Sequence, residues 1–234
     1  LVLSGNNTYD GGTTISGGTV TVSNATGAGT GAIAVGGNTL NVNAVTIANN
    51  VTAAAGTLQG TGAGEISGTV GLSGVNTVNA ATGADTLTLS GVVSGVGASI
   101  NKTNAGTLVL SGANTYTGGT TIIGGTVTVS NATGAGTGTI AVGANTLNVN
   151  NVAIANNVTA TGGTLRGTGA GAQISGTVAI TGANTLNTAL VGDSLALSGV
   201  VSSTGRFDNT GAGTVVLTGV NTYSGGTTVS AGTL

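Results

Sequence analysis

Residues 1–20 read LVLSGNNTYDGGTTISGGTV, and this stretch returns twice in the chain. The second copy, residues 108–127, reads LVLSGANTYTGGTTIIGGTV, and the third, residues 215–234, reads VVLTGVNTYSGGTTVSAGTL. Equivalent residues are 107 positions apart, which divides the chain into repeat 1 (1–107), repeat 2 (108–214) and the start of repeat 3 (215–234). An internal period of this kind predicts stacked structural units.

The residues between the copies alternate in a way that is typical of short strands. Runs such as Thr86-Leu87-Thr88-Leu89 alternate polar and apolar residues, and turns rich in Gly and Asn separate them. No stretch shows the apolar spacing of a helix. Strands of this length fit a sandwich, a barrel or a β-solenoid, and the strict repetition favours the solenoid. The predicted fold is an all-β parallel β-helix (β-solenoid) that forms a single unit over residues 1–234.

The length of one coil follows from the same repeat. Solenoid coils of about 20 to 22 residues give about five coils in each 107-residue repeat. At a strand spacing of about 4.8 Å, roughly eleven coils form a rod of roughly 50 Å. The chain begins and ends inside a repeat, which we interpret as a slice of a longer protein.

The composition argues against several classes of partner. Charged residues make up 3% of the chain, and only Lys102, Arg166 and Arg206 are basic. A nucleic-acid partner is not expected, because it needs a basic surface that neutralises phosphates. No apolar run approaches the roughly 18 residues that cross a bilayer, so membrane insertion is not expected either. The chain has no cysteine and hence no disulfide.

The core of the repeated stretch is N-T-Y-x-G-G-T-T, which is intact from Asn7, Asn114 and Asn221. This motif resembles the passenger-associated transport repeat of bacterial autotransporters, over about a quarter of the chain. The resemblance implies a right-handed parallel β-helix that is exported across the outer membrane and displayed on the cell surface. It also implies a role in adhesion, autoaggregation or biofilm formation.

The acidic residues do not suggest a catalytic centre. They are Asp10, Glu65, Asp85, Asp193 and Asp208, and the chain has no His and a single Lys. Asp85 and Asp193 occupy equivalent places about five coils apart, too far for the two facing carboxylates of glycoside hydrolysis. We therefore predict a non-enzymatic protein with no catalytic residue, no cofactor and no metal site.

Three other patterns have simpler explanations. Residues 27–32 match the G-x-G-x-x-A dinucleotide fingerprint, but no helix follows, as that motif requires. Calcium-binding nonapeptides need an Asp in each turn, which five acids cannot supply. An ice-binding face of outward threonine pairs is not favoured, because the pairs Thr19 with Thr21 and Thr86 with Thr88 do not recur at every coil.

The motif itself supplies the candidate site, which consists of Asn7, Tyr9, Asn114, Tyr116, Asn221 and Tyr223. With about five coils per repeat, the three tyrosines are expected on one face at intervals of about 24 Å. In that position they could contact a sugar or a neighbouring filament periodically. The alternative, which we favour, is that each tyrosine fills a corner under the Gly-Gly turn and bonds its hydroxyl locally.

Together these features predict an extracellular structural rod or filament segment in a repetitive bacterial surface protein. Both outer coils consist of ordinary motif sequence without a cap, so their open strand edges are expected to stack end to end. The alternative function is an adhesin passenger arm that binds a glycan or host protein along one face. Three tyrosines and Phe207 are a thin supply of aromatic platforms for a glycan.

Overall fold

The computed structural model describes residues 1–234 and contains 30 short β-strands, numbered β1 to β30 in chain order. Neighbouring strands pair in parallel and stack on three faces of a solenoid, which we call A, B and C. The chain passes from face A to face B to face C and back to face A. None of its segments is a helix long and apolar enough to cross a membrane.

Each face is a column of strands. Face A holds β1 (Val2–Leu3), β3 (Thr19–Val22), β5 (Thr39–Asn43), β8 (Thr57–Thr61), β11 (Val75–Ala80), β14 (Ser99–Thr103), β16 (Thr120–Ile122), β18 (Ile140–Val142), β21 (Val158–Thr161), β24 (Val178–Thr181) and β27 (Val201–Ser202). Face B holds β6 (Thr46–Ile47), β9 (Ala63–Ile66), β12 (Thr86–Leu89), β15 (Thr107–Leu110), β17 (Thr126–Val129), β19 (Thr146–Asn150), β22 (Thr164–Thr168), β25 (Ala183–Asn187), β28 (Arg206–Asn209) and β30 (Thr227–Val229). Face C holds β2 (Thr13–Ile15), β4 (Ile33–Val35), β7 (Val51–Ala54), β10 (Val70–Ser73), β13 (Val93–Ser94), β20 (Ala153–Ile154), β23 (Gln173–Ile174), β26 (Ser194–Leu197) and β29 (Thr214–Leu217).

Face C contains two sheets because the coils between β13 and β20 lack regular strands there. Hydrogen bonds nevertheless cross this gap from coil to coil. They join, in order, Thr115 N to Val93 O (2.8 Å), Thr137 N to Tyr116 O (3.0 Å) and Asn156 Nδ2 to Gly136 O (3.1 Å). The stack of coils is therefore continuous along face C.

The core follows from the alternation of polar and apolar residues. In β12, Leu87 and Leu89 are buried, whereas Thr86 and Thr88 face outward. Stacking turns inward positions into apolar rows, and one row on face B runs through Leu87, Leu108, Val127, Leu147, Leu165 and Leu186. Such rows form one cluster of 46 buried apolar residues, in which each fully buried Val, Leu or Ile side chain contributes about 1.5–3 kcal/mol. The predicted all-β parallel solenoid is confirmed.

The repeat and the coil do not have the same phase. Successive pairings on face C lead upward from Thr13 through β4, β7 and β10 to Val93, and Thr115 N then donates to Val93 O. Thr115 thus lies five coils above Thr13. The residue equivalent to Thr13 is Thr120, however, which pairs with Ile100 on face A. One repeat therefore takes five coils and a further third of a turn. Dividing 107 by an average coil length gave about five coils and missed this additional third.

The same shift applies to the other faces. Strand β3 on face A has its equivalent, β17, on face B, and β6 on face B has its equivalent, β20, on face C. Each repeat is consequently rotated by one face relative to the repeat before it. Identical stretches of sequence point in different directions along the rod.

Candidate functional site

The rotation places the three motif tyrosines on three different faces. Tyr9 lies beneath Thr30, whose N–H donates to Tyr9 O, in the column that continues to face B. Tyr116 lies on face C between β13 and Thr137. Tyr223 lies above β27 on face A, next to Thr222, whose N–H donates to the strand below. The expectation that the tyrosines line one face is wrong, because a repeat is not a whole number of coils.

Each tyrosine packs at a corner and bonds its hydroxyl to a threonine four residues later. The three pairs are Tyr9 with Thr13 (2.8 Å), Tyr116 with Thr120 (2.6 Å) and Tyr223 with Thr227 (2.6 Å). Tyr116 is 0% exposed, and burial raises its pKa well above the usual range. A side chain at Gly136 in the coil above would collide with Tyr116, so glycine is required there. The local hydroxyl bond that we expected is present in all three copies, but only Tyr116 is fully buried, whereas Tyr9 is 40% exposed.

The motif asparagines bind the backbone of neighbouring coils. Asn114 is 2% exposed, and its Oδ1 accepts a hydrogen bond from Val93 N (2.7 Å) while its Nδ2 donates to Gly134 O (2.6 Å). It therefore joins the coil below to the coil above, at a place where face C has no regular strand. Its amide satisfies buried backbone groups that the sheet leaves unpaired.

The outer copies make only half of these bonds. Asn7 donates upward to Gly27 O at 2.7 Å, and Asn221 accepts from Val201 N below it at 2.9 Å. The motif is thus a connector between three consecutive coils.

Residues 1–22, 100–129 and 209–234 match the family described as the Passenger-associated-transport-repeat. Three stretches of the chain are therefore similar to the passenger-associated transport repeat. It is also 33% identical over 240 residues to "Adhesin BmaC autotransporter" of Brucella suis biovar 1 (strain 1330). This alignment covers 99% of the chain but 6% of that relative, so the chain spans a small part of the relative's length. No solved structure matches. The similarities place the chain outside the cell or on the bacterial cell surface.

Two acids stabilise turns between the transport repeats. Asp85 accepts hydrogen bonds from Thr82 and from Gly62 N (2.6 Å), and these bonds, the Thr82 side chain first, lower its pKa. The equivalent Asp193 accepts from Gly169 N (2.8 Å) and Leu190 N (3.0 Å). No group of three or more His, Cys, Asp or Glu residues lies together. The carboxylates act as turn caps in each repeat.

The two largest concavities occupy equivalent places in repeats 1 and 2. They have volumes of about 590 Å³ and 500 Å³, and the first lies on face C, the second on face A. Their equivalent lining residues include Thr14, Val35 and Asn38 in repeat 1 and Thr121, Val142 and Asn145 in repeat 2. No charged or aromatic residue lines either groove. The grooves share the one-face rotation of the repeat.

A row of threonines was not predicted. The residues Thr86, Thr107, Thr126, Thr146, Thr164 and Thr185 stack directly above one another on face B. The outward position two residues later varies, and is Val109 in β15 and Asn148 in β19, so threonine pairs do not recur at every coil. The row escaped sequence analysis because its members come from two repeats, which the rotation brings onto one face.

Lys102 is the other residue that sequence reasoning missed. Its side chain is 0% exposed, which is rare for a lysine. The signal lay in the alternation, because Lys102 follows the buried Ile100 by two positions in β14 and therefore points inward. Its Nζ donates to three main-chain oxygens, those of Thr103 (2.7 Å), Asn104 (2.8 Å) and Gly124 (2.9 Å).

Proposed function

We propose that this chain is a non-enzymatic structural rod segment of a large bacterial surface protein. The observation that carries the proposal is the motif asparagine. Asn114 binds a coil on each side, whereas Asn7 and Asn221 each have one of these two partners. In every copy the asparagine side chain therefore ties its own coil to a neighbouring coil, which supports a role in holding a stacked rod together.

A non-enzymatic role is supported by the acids and the grooves. Asp85 and Asp193 are occupied by turn backbone, and neither large groove contains a titratable residue. General acid-base or nucleophilic chemistry needs such groups next to a bound substrate. A rod needs only a continuous core, which the apolar rows supply.

We further propose that separate chains can stack end to end through the open β-edges. Apolar side chains at both outer coils are well exposed, among them Leu1 and Val2 at one end and Val229 and Leu234 at the other. Burying them against another coil would gain hydrophobic free energy and pair the edge hydrogen bonds. Head-to-tail contacts of this kind produce open filaments.

Electron microscopy combined with sedimentation at physiological salt tests both forms of the proposal. Stacking chains should form fibres with an axial repeat of roughly 50 Å, from about 4.8 Å for each coil. The variant Val2→Lys places a charge on one outer edge, and should abolish fibres while the circular dichroism spectrum is retained. A wild-type chain that stays monomeric at all concentrations contradicts stacking, and a compact monomer would contradict the rod itself.

The threonine row favours a second function, an adhesin arm that contacts a host surface along face B. Its six side chains are partly exposed, and their hydroxyls have no hydrogen-bond partner within the protein. A relative bears the name adhesin, which fits this function. Replacing Thr107, Thr126 and Thr146 together by Ala should reduce adhesion of cells that display the chain. Unchanged adhesion would contradict this second function.

A further inference from the structure

Arg166 lies on face B without a partner. It points outward from β22, and its Nε is buried and has no hydrogen-bond partner. The residue as a whole is half-buried, so the base of the guanidinium group packs against the sheet while its outer edge faces solvent. A guanidinium group has five N–H donors, and a buried donor without an acceptor costs free energy. The side chain is therefore held in place and lacks an acceptor.

The residues stacked on Arg166 are neutral and bond elsewhere. The register places Asn148 one coil below it and Asn187 one coil above it, each about 4.8 Å away. Asn148 Nδ2 donates to Thr128 Oγ1 and Asn187 Nδ2 donates to Thr210 Oγ1, both at 3.4 Å and both away from the arginine. These bonds are long, which leaves the two amide groups able to turn toward a ligand. Arg166 is the centre of an amide–arginine–amide column.

The acids of this region do not neutralise Arg166. Both carboxylate oxygens of Asp193 accept hydrogen bonds from backbone N–H groups of turns, at 2.8 and 3.0 Å. Asp208 lies two coils above Arg166 on the neighbouring outward row, which places it ~12 Å away along the sheet, beyond the Debye length of about 8 Å at physiological salt. The other arginine, Arg206, stands beside Asp208 in β28. The charge of Arg166 therefore has no partner within the protein.

Repeat 1 has the same column without the arginine. Its equivalent residues are Asn41, Gln59 and Asn79, which stack in this order on face A. Gln59 stands in the place of Arg166, and the outward row beside it is again threonine at this coil, Thr57. The two columns thus differ in one guanidinium group, which the solenoid does not need for its stacking. An outward charge that packing does not require points to a ligand.

We infer that Arg166 anchors an acidic polysaccharide, with a sulfate or carboxylate group of a sugar bound to the outer edge of the guanidinium group. This inference rests on the adhesin-arm function proposed above and names the ligand class of face B. The planar arginine fork binds such oxygen pairs bidentately. The amides of Asn148 and Asn187 and the free hydroxyls of Thr164 and Thr185 lie beside it and can bond sugar hydroxyl groups. The outward positions of these coils carry no aromatic residue, so charge and hydrogen bonds replace stacking.

Binding of the whole chain to immobilised polymers tests the site. Dextran sulfate carries sulfate groups, polygalacturonate carries carboxylates, and neutral dextran is the control. The wild-type chain should bind one or both acidic polymers, more weakly as salt is raised, and should not bind dextran. Arg166→Gln introduces the residue of repeat 1 and should weaken binding at least about 10-fold, because it removes a charge-assisted hydrogen bond. No binding to either acidic polymer, or equal binding to dextran, would overturn the site.

Two double variants with the net charge of the wild-type chain separate a site from general attraction between charges. Arg166→Gln/Gln59→Arg rebuilds the column on face A, between the two asparagines of repeat 1, and should restore most of the binding. Arg166→Gln/Gln173→Arg moves the charge to face C, where the stacked neighbours are alanines, and should bind as weakly as Arg166→Gln. Full binding by the second variant, or none by the first, would overturn the assignment to the amide–arginine–amide column.

Cell adhesion distinguishes this inference from the function on which it rests. Cells that display Arg166→Gln should adhere less than cells that display the wild-type chain. If they adhere normally while the variant with Thr107, Thr126 and Thr146 replaced by Ala does not, the acidic ligand is wrong and the adhesin arm stands. If neither change affects adhesion while the purified chain still binds dextran sulfate through Arg166, the site stands and the adhesin function fails.

Discussion

The central and outer copies of the Asn-Tyr motif have the same core sequence but different surroundings. Tyr116 is 0% exposed, whereas Tyr9 is 40% exposed. Asn114 binds the coils on both sides of it, whereas Asn7 and Asn221 bind one each. The tyrosine–threonine hydrogen bond is present in all three copies, so it depends only on the local sequence. The burial of the tyrosine differs between copies, so it depends on the neighbouring coils. Most of the stability of this motif therefore comes from the coils stacked on it.

The largest expected effect is the formation of an introduced disulfide, which tests the rotation between copies and is expected to be complete or absent. The variant Asn101→Cys/Thr121→Cys should form a disulfide completely on mild oxidation, because these residues are register partners on face A. Adjacent strands are about 4.8 Å apart, within the range that a disulfide spans. The chain has no cysteine of its own, so mass spectrometry can follow the reaction without interference.

The matched control for this cross-link is Ser94→Cys/Thr121→Cys. Ser94 lies on face C, where Thr121 would be stacked if each repeat were a whole number of coils. This pair should stay reduced under the same conditions. Efficient oxidation of the control pair, with none for the first pair, would contradict the one-face rotation.

The variant Tyr116→Ala should lower the free energy of unfolding by about 3–5 kcal/mol, because it opens a cavity in the core. Tyr9→Ala should cost much less, since that side chain is already partly in water. Urea denaturation followed by circular dichroism measures both. Equal losses for the two variants would mean that stacking does not determine the burial of the motif.

The variant Asn114→Ala should cost about 2–4 kcal/mol, because it leaves Val93 N and Gly134 O buried without a partner. Asn7→Ala and Asn221→Ala each remove one such bond and should cost about 1 kcal/mol. The same denaturation experiment compares the three variants. A similar cost at all three positions would contradict the connector role of the central copy.

The buried Lys102 side chain predicts how the stability of the fold depends on pH. Burial lowers the pKa of Lys102 from 10.5 to about 8. Between these values the unfolded chain binds a proton that the folded chain does not, so stability should rise with pH above about 8 and be flat below it. The full effect is at most about 3 kcal/mol.

Unfolding by urea at pH 7.0 to 9.5 measures this rise. Lys102→Asn introduces the residue that repeat 2 has at the equivalent position, Asn209, and should abolish the dependence of stability on pH. A wild-type chain without a slope would show that the three carbonyl oxygens fully compensate the buried charge. A slope that remains in Lys102→Asn would assign it to another group.

The fold class could be predicted because the period and the alternation both follow from backbone geometry. A row such as Leu87, Leu108 and Val127 is visible in the sequence as soon as the copies are aligned. The phase of the repeat could not be predicted in this way. Coil lengths vary with the corner loops, from 18 residues between Ile33 and Val51 to 24 between Val75 and Ser99. An average coil length hides the remaining third of a turn.

The candidate site could be predicted in its residues but not in its arrangement. Each tyrosine hydroxyl bonds a threonine four residues later, so a local partner for the hydroxyl could be predicted from the motif. The partners of Asn114 lie 20 or 21 residues away in other coils, so they depend on the stacking register. Lys102 was missed because charge normally indicates exposure, although the alternation in β14 placed it inside.

The smallest expected effect isolates the local part of the motif. Tyr116→Phe removes only the hydroxyl that bonds Thr120, and it should cost about 1 kcal/mol because the buried Thr120 Oγ1 loses its partner. Tyr9→Phe removes the same bond in an exposed setting, where water replaces it, and should be nearly neutral. If both variants lost the same stability, the hydroxyl bond would matter independently of burial. A loss confined to Tyr116→Phe would mean that stacked coils give even this local contact its energetic weight.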